Sequence, residues 1–334
     1  MTMLHGHAQR NAAPRDGQRA RSTLGQRARA GFLSALSWVV CRLPETPLIA
    51  LAEVGGELWY RLDARRAGQA RRNLERVARW LATEGLGSPL DRAAADDPAV
   101  LERLVRRAFR HYARYYLEVT RAPGYTPAYL ASHVRIEHEE RLAEAFRVGE
   151  PVMFIGLHFG AIELMAYIST VRSARTIVTP METVDDPAMQ RYFVRTRGSI
   201  GIRLVGLREA RRELTTALGQ GGPVGLVADR DLTGGGMPVT FFGAPASLPL
   251  GPALLAVETG APAWISSVRR IARGRYVGRL ERIVPPAEGT RRERVTAFIE
   301  AQALAFEREV ALAPEQWWAV FFPIWPDLER EAAA

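Results

Sequence analysis

Residues 151–163 read Pro-Val-Met-Phe-Ile-Gly-Leu-His-Phe-Gly-Ala-Ile-Glu. Pro151–Leu157 is an unbroken apolar run of the length expected for a strand buried on both faces, and the polar residue that ends it is His158. A helix is predicted to follow as far as Tyr167. The same alternation extends outward from this point. Upstream, Val134–Ile136 reads as a strand and Glu139–Val148 as a helix. Downstream, strands over Thr176–Thr179, Ile202–Val205 and Val224–Ala228 alternate with helices over Pro187–Arg197 and Arg208–Leu218. Pro238–Phe242, Gly251–Thr259, Pro262–Val268 and Tyr276–Arg282 continue the mixture, and Arg291–Leu312 reads as a long last helix. Short strands separated by helices of this size imply an α/β fold with a largely parallel mixed sheet flanked by helices.

The region before this unit has a different character. Leu58–Ala82 reads as a helix, Gly85–Pro98 as a loop, and Val100–Thr120 as an amphipathic helix whose apolar face runs from Leu101 through Phe109 to Tyr116. Arg103, Arg106, Arg107, Arg110 and Arg114 lie between those positions, as a solvated face or as a contact for head-group phosphates. The division that results is a disordered basic arm at residues 1–30, a helical region at 31–125 and an α/β core at 126–330, with 31–330 forming one catalytic domain.

Composition narrows the function. The 334 residues include 45 basic ones, all of them arginine, against 36 acidic ones, for a net charge of +9. With no lysine, Schiff-base chemistry on lysine and lysine-dependent phosphate loops are excluded. The planar guanidinium suits phosphate and carboxylate, so anionic ligands or an anionic surface fit the charge balance. One cysteine, Cys41, excludes an internal disulfide framework and thiolate-cluster metal sites. The first thirty residues hold six arginines and one aspartate. The apolar stretch Ala30–Cys41 comes next and is too short to span a bilayer. A basic arm leading into it matches a segment lying in the membrane interface, the alternative being a first core helix behind a solvated tail. The charge outside the arm is modest and carries no nucleic-acid motif, so nucleic acid is not expected as a partner.

In open α/β sheets, ligands collect beyond the carboxyl ends of the strands. Two such ends are rich in polar residues: His158 to Glu163, and Asp229-Arg230-Asp231-Leu232-Thr233 followed by Gly234–Gly236. His158 and Glu163 share no face of a continuous helix, but they converge if His158 stays in the turn while Glu163 is one turn in. The carboxylate would then orient the imidazole as a general base. The competing reading makes His158 a helix cap and Glu163 a favourable first-turn acid. Asp229 and Asp231 fit turn-amide acceptors, and Arg230 with the glycine run fits a phosphate cradle. No G-x-S-x-G elbow and no metal-ligand spacing is present. A base without a covalent nucleophile suggests direct transfer to a hydroxyl, or hydrolysis.

The ordered motifs carry a resemblance. His158–Glu163 after an apolar strand, then Arg197-Gly198-Ser199-Ile200-Gly201, then Asp229–Gly236, then Phe241-Phe242-Gly243-Ala244-Pro245-Ala246 resemble bacterial glycolipid acyltransferases. The superfamily is that of the lipid A secondary (lauroyl/myristoyl) acyltransferases, and the D-R-D-L-T-G segment is most similar to the branch that acts on phosphatidylinositol mannosides. The resemblance implies a glycerolipid-acyltransferase-like fold, peripheral on the cytoplasmic face of the cell membrane. It also implies an acyl-CoA or acyl carrier protein donor, a membrane glycolipid acceptor, and neither metal nor cofactor beyond the donor. His158 and Glu163 would be the catalytic dyad, with Arg197 and Asp229 near the donor or the sugar. Acyl transfer would then need oxyanion donors, expected from amides at the helix start after Phe159 or from a nearby arginine. It would also need an apolar slot for the acyl chain, for which Gly251–Val268 and the C-terminal aromatics Trp317, Trp318, Phe321, Phe322 and Trp325 are candidates, their alternative role being to close the core. A lipid A acceptor is the alternative within the class, and a non-catalytic basic binding protein the alternative outside it.

Overall fold

The computed structural model describes residues 23–147, 149–231 and 234–333. The expected disorder of the basic arm falls largely outside the described residues, as do Leu232 and Thr233. Helix α1 (Leu24–Val40) begins within the stretch assigned to the arm. Thr23 accepts from the Gln26 amide while the Gln26 side chain accepts from the Thr23 amide, and this reciprocal cap starts the helix early.

Helices α2 (Glu45–Leu62) and α3 (Ala64–Glu84) replace the single helix expected over Leu58–Ala82. Asp63 breaks it, leaving helical geometry and capping α3 at the Arg66 amide. After α4 (Pro89–Ala93), helix α5 (Pro98–Arg121) runs close to the expected span. Its arginine stripe is a solvated face only in part: Arg103 and Arg110 are exposed, while Arg114 is buried. Arg106 and Arg110 pair with Glu57, and Arg114 with Glu53, because α2 lies across them. Gly56 allows that approach: a Cβ there would sit 2.6 Å from the Arg110 Cα.

The α/β unit follows, with α6 (Pro127–His133), β1 (Val134–Ile136), α7 (Glu139–Ala145), β2 (Val152–Gly156), α8 (Ile162–Ser173), β3 (Ile177–Met181), α9 (Pro187–Gly198), β4 (Ile202–Gly206), α10 (Ala210–Gly219) and β5 (Pro223–Val227). A hairpin, β6 (Met237–Phe241) and β7 (Ala244–Leu248), forms a separate two-stranded sheet. The chain continues through α11 (Gly251–Thr259), β8 (Ala263–Ala272), β9 (Arg275–Ile283), α12 (Arg291–Ala311) and α13 (Pro326–Ala333). The seven-stranded sheet has the order β1-β9-β8-β2-β5-β3-β4, and only the β8–β9 pairing is antiparallel. The mixed, largely parallel sheet read from the sequence is therefore the architecture found.

β2 lies at the centre. Met153, Ile155 and Leu157 enter one core, and Val152 and Phe154 the other, which explains why the run is apolar without alternation. Beyond it the chain turns sharply at Gly160, whose φ is +57°. A Cβ there would lie 2.0 Å from the Val268 carbonyl oxygen. Gly160→Ala is expected to cost at least about 3 kcal/mol by combining left-handed strain with a backbone clash. Chemical denaturation would read it, and a wild-type midpoint would contradict the assignment.

Candidate active site

The site is set first by register. β2 and β5 pair in parallel, with Gly156 opposite Val227, and the Ala228 amide still donates to the Gly156 carbonyl at 3.0 Å. Two residues beyond that last pair, His158 lies beside Asp229. His158 Nδ1 lies 2.6 Å from Asp229 Oδ1, and the His158 amide donates to Oδ2 at 3.0 Å. Trp317 Nε1 donates to the same Oδ2 at 2.7 Å.

The Asp229 side chain is fully buried. Burial pushes its carboxyl up, but the His158 charge and the donors from His158 and Trp317 outweigh this, and its pKa falls below the usual carboxylate value. An ionised carboxylate only accepts, so the neutral imidazole carries its proton on Nδ1 and keeps the Nε2 lone pair free. The ring is partly exposed, at 18% of the side chain.

Glu163 does not make the contact expected of it. The first turn of α8 points its carboxylate, which is 4% exposed, at Arg197, whose Nε and Nη2 donate to Oε1 at 3.1 and 2.9 Å. Arg197 at the end of α9 also reaches Met181 Sδ at 3.1 Å and the Tyr115 hydroxyl. Desolvation would lower the Arg197 pKa, but Glu163 and Tyr115 raise it. The carboxylate five residues after the histidine thus anchors an arginine, and the one from the neighbouring strand holds the imidazole.

Arg230 is half-buried and stacks over Phe322 at 3.7 Å. Among the described residues it has no carboxylate at ion-pair distance, and burial lowers its pKa from the usual guanidinium value. Asp231, by contrast, accepts from the amides of Gly234 and Gly236 at 2.9 and 2.8 Å, as the turn reading anticipated. No group of three or more potential metal ligands gathers among the described residues.

The C-terminal segment and α5 add residues that no motif or spacing placed beside His158. Trp317 and Gln316 lie against the His158–Gly160 turn: Phe159 bridges to Trp317, the Gly160 amide donates to the Gln316 carbonyl at 3.0 Å, and the Trp318 amide donates to the His158 carbonyl at 2.9 Å. The Trp318 ring meets the imidazole at 4.3 Å and stacks on Tyr115 at 4.5 Å. The core reading of the C-terminal aromatics describes Trp317, Trp325 and Phe321, all buried, and α11 packs into the same core. The only available signal was the density of tryptophan in the segment itself.

Residues 21–321 match the family of bacterial lipid A biosynthesis acyltransferases. The chain belongs to that family and is an acyltransferase. It is 31% identical over 281 residues to the phosphatidylinositol mannoside acyltransferase of Mycolicibacterium smegmatis, covering 82% of this chain and 85% of that one. It is also 31% identical over 292 residues to the protein of the same name from Mycobacterium tuberculosis H37Rv, covering 85% and 84%.

Removing one partner of a buried ion pair is expensive, so Glu163→Gln should destabilise the protein by about 3 kcal/mol or more. His158→Ala, at a partly open ring, should cost clearly less. Paired thermal denaturation of the two variants checks this, and the reverse order would show that Glu163 does not serve as the anchor of Arg197.

Proposed function

We propose that this acyltransferase moves a fatty acyl group from acyl-CoA, or from an acyl carrier protein, to a sugar hydroxyl of a membrane glycolipid, a phosphatidylinositol mannoside. His158 is the general base. The observation that carries this reading is the hydrogen-bonded chain from Trp317 through Asp229 to His158, which engages Nδ1 and leaves Nε2 of the partly exposed ring for the substrate hydroxyl. A sugar hydroxyl is a poor nucleophile at neutral pH. Loss of its proton to Nε2 as it attacks the thioester carbonyl lowers that barrier, and Asp229 stabilises the imidazolium that forms. Glu163, expected as the orienting acid, acts here by holding Arg197, and Arg197 and Arg230 supply charge for anionic groups of donor or acceptor.

The choice of acceptor is supported by the two mycobacterial relatives, whose names state it. The family's own description favours lipid A as the second reading. Purified protein offered both acceptors with labelled palmitoyl-CoA, and analysed by mass spectrometry, should acylate the mannoside. Acylation of lipid A alone would favour the second reading, and free fatty acid without acylated acceptor would indicate an esterase. His158→Ala should lower the rate by about 10²–10⁴-fold, and Asp229→Asn should impair it by leaving the imidazole without its anionic partner. A near-wild-type His158→Ala enzyme would defeat the mechanism.

The protein is further proposed to work from the cytoplasmic face of an anionic membrane. No helix among the described residues is long and apolar enough to cross one. Support comes from Phe32 and Trp38 on α1 and from Leu51, Val54, Leu58 and Leu62 on α2, each more than half exposed. The α2 residues share one helical stripe, and Arg42, Arg61 and Arg65 lie at its ends. Co-sedimentation with phosphatidylinositol-containing vesicles should weaken with salt and with a Leu51→Asn/Val54→Asn/Leu58→Asn triple variant. Undiminished binding by that variant would rule out this face.

A further inference from the structure

The acyl-transfer step needs a donor for the oxygen that becomes negative, and the amides of residues 158–161 do not supply it. The His158 amide donates to Asp229 Oδ2 at 3.0 Å. The Phe159, Gly160 and Ala161 amides donate to the carbonyls of Leu157, Gln316 and Val268 at 2.7, 3.0 and 2.7 Å. Four consecutive N–H groups are thus committed to the fold.

Beside them is a donor that is not committed. Trp318 is 8% exposed, and its Nε1 is buried without a hydrogen-bond partner. An unsatisfied buried N–H is a cost that native structures rarely carry without a reason. Trp318 is held against the histidine twice, by its own amide on the His158 carbonyl and by its ring against the imidazole at 4.3 Å, inclined by 70°. Tyr115 stacks on it at 4.5 Å and Tyr112 at 5.5 Å. The indole is thus fixed in contact with the imidazole, held by the His158 turn and by the α5 tyrosines.

Resting on the acyl-transfer reading above, we infer that Trp318 Nε1–H is the hydrogen-bond donor to the thioester carbonyl oxygen as charge develops on it. The hydroxyl oxygen bonds to the carbonyl carbon while its proton passes to His158 Nε2. The carbonyl π pair moves onto oxygen, where the Trp318 N–H meets it. The oxygen pair then returns, the C–S bond breaks, and the leaving thiolate takes the proton from His158. A fixed donor aimed at a developing oxyanion acts in the transition state and little in the ground state, so its loss appears in kcat.

Two replacements at position 318 test this: Trp318→Phe, and incorporation of benzothienylalanine, which keeps the indole shape with sulfur in place of N–H. With a glycolipid acceptor and palmitoyl-CoA, each should lower kcat by about 10²–10³-fold. KM should change little, and the pH dependence should stay unmoved because His158 keeps its partners. If Trp318→Phe unfolds, the benzothienyl enzyme decides. Wild-type kcat in that enzyme overturns the assignment, and a large loss in Arg230→Gln alone would transfer the role to Arg230. A wild-type enzyme that acylates nothing would defeat the functional reading itself, and this inference with it.

Discussion

A carboxylate with no solvent exposure must be satisfied on all sides or it will not stay charged. Asp229 meets that condition through three donors, two from His158 and one from Trp317, and much of the surrounding structure serves to bring them there. The β2–β5 register supplies the first two. The third requires the segment after α12 to run antiparallel to Phe159. Gln316 secures that segment by gripping the Arg270 backbone at both its amide and its carbonyl, at 2.8 and 2.7 Å. Arg270 in turn binds the Gly160 carbonyl and forms a buried ion pair with Glu118. The turn that presents the imidazole is therefore fixed from β5, from β8 and from the C-terminal segment.

Much of this was legible in advance because strands buried on both faces announce themselves. Pro151–Leu157 and Val224–Ala228 are runs of that kind, and the polar residues just beyond them, His158 and Asp229, are the pair the sheet brings together. The pairing itself was not legible, because which strand lies beside β2 is a property of topology and not of local sequence. Spacing along the chain therefore favoured Glu163 over Asp229. The Asp63 break was missed because arginine and leucine continue the helical pattern straight through it. β7 was missed because Ala244-Pro245-Ala246 has low strand propensity and pairs only because β6 returns along it. Trp317 and Trp318 belonged to no motif, and contacts across more than 150 residues leave no local signature.

An all-arginine economy explains how so many charges coexist with so large a core. Arg197, Arg270 and Arg114 are buried or nearly so, and each spreads its charge over several acceptors. A guanidinium offers five donors in a fixed plane, so it can satisfy a carboxylate and a carbonyl at once, as Arg270 does. An ammonium in the same places would leave acceptors unmatched. The pattern extends to the helical region, where α2 is fastened to α5 through Glu57 and Glu53, so the apolar stripe α2 exposes is presented on a rigid support.

The clamp by Trp317 also has a consequence for biosynthesis. Ribosomes deliver β2 and β5 well before residues 314–321, at roughly 5–20 residues per second. During that interval Asp229 and His158 can meet, but the carboxylate lacks its indole donor and the turn lacks its antiparallel partner. The His158 end of the sheet is completed only when residues 314–321 leave the exit tunnel. Until then the strand-end turn of a nascent chain stands without the clamp that holds it in the folded protein.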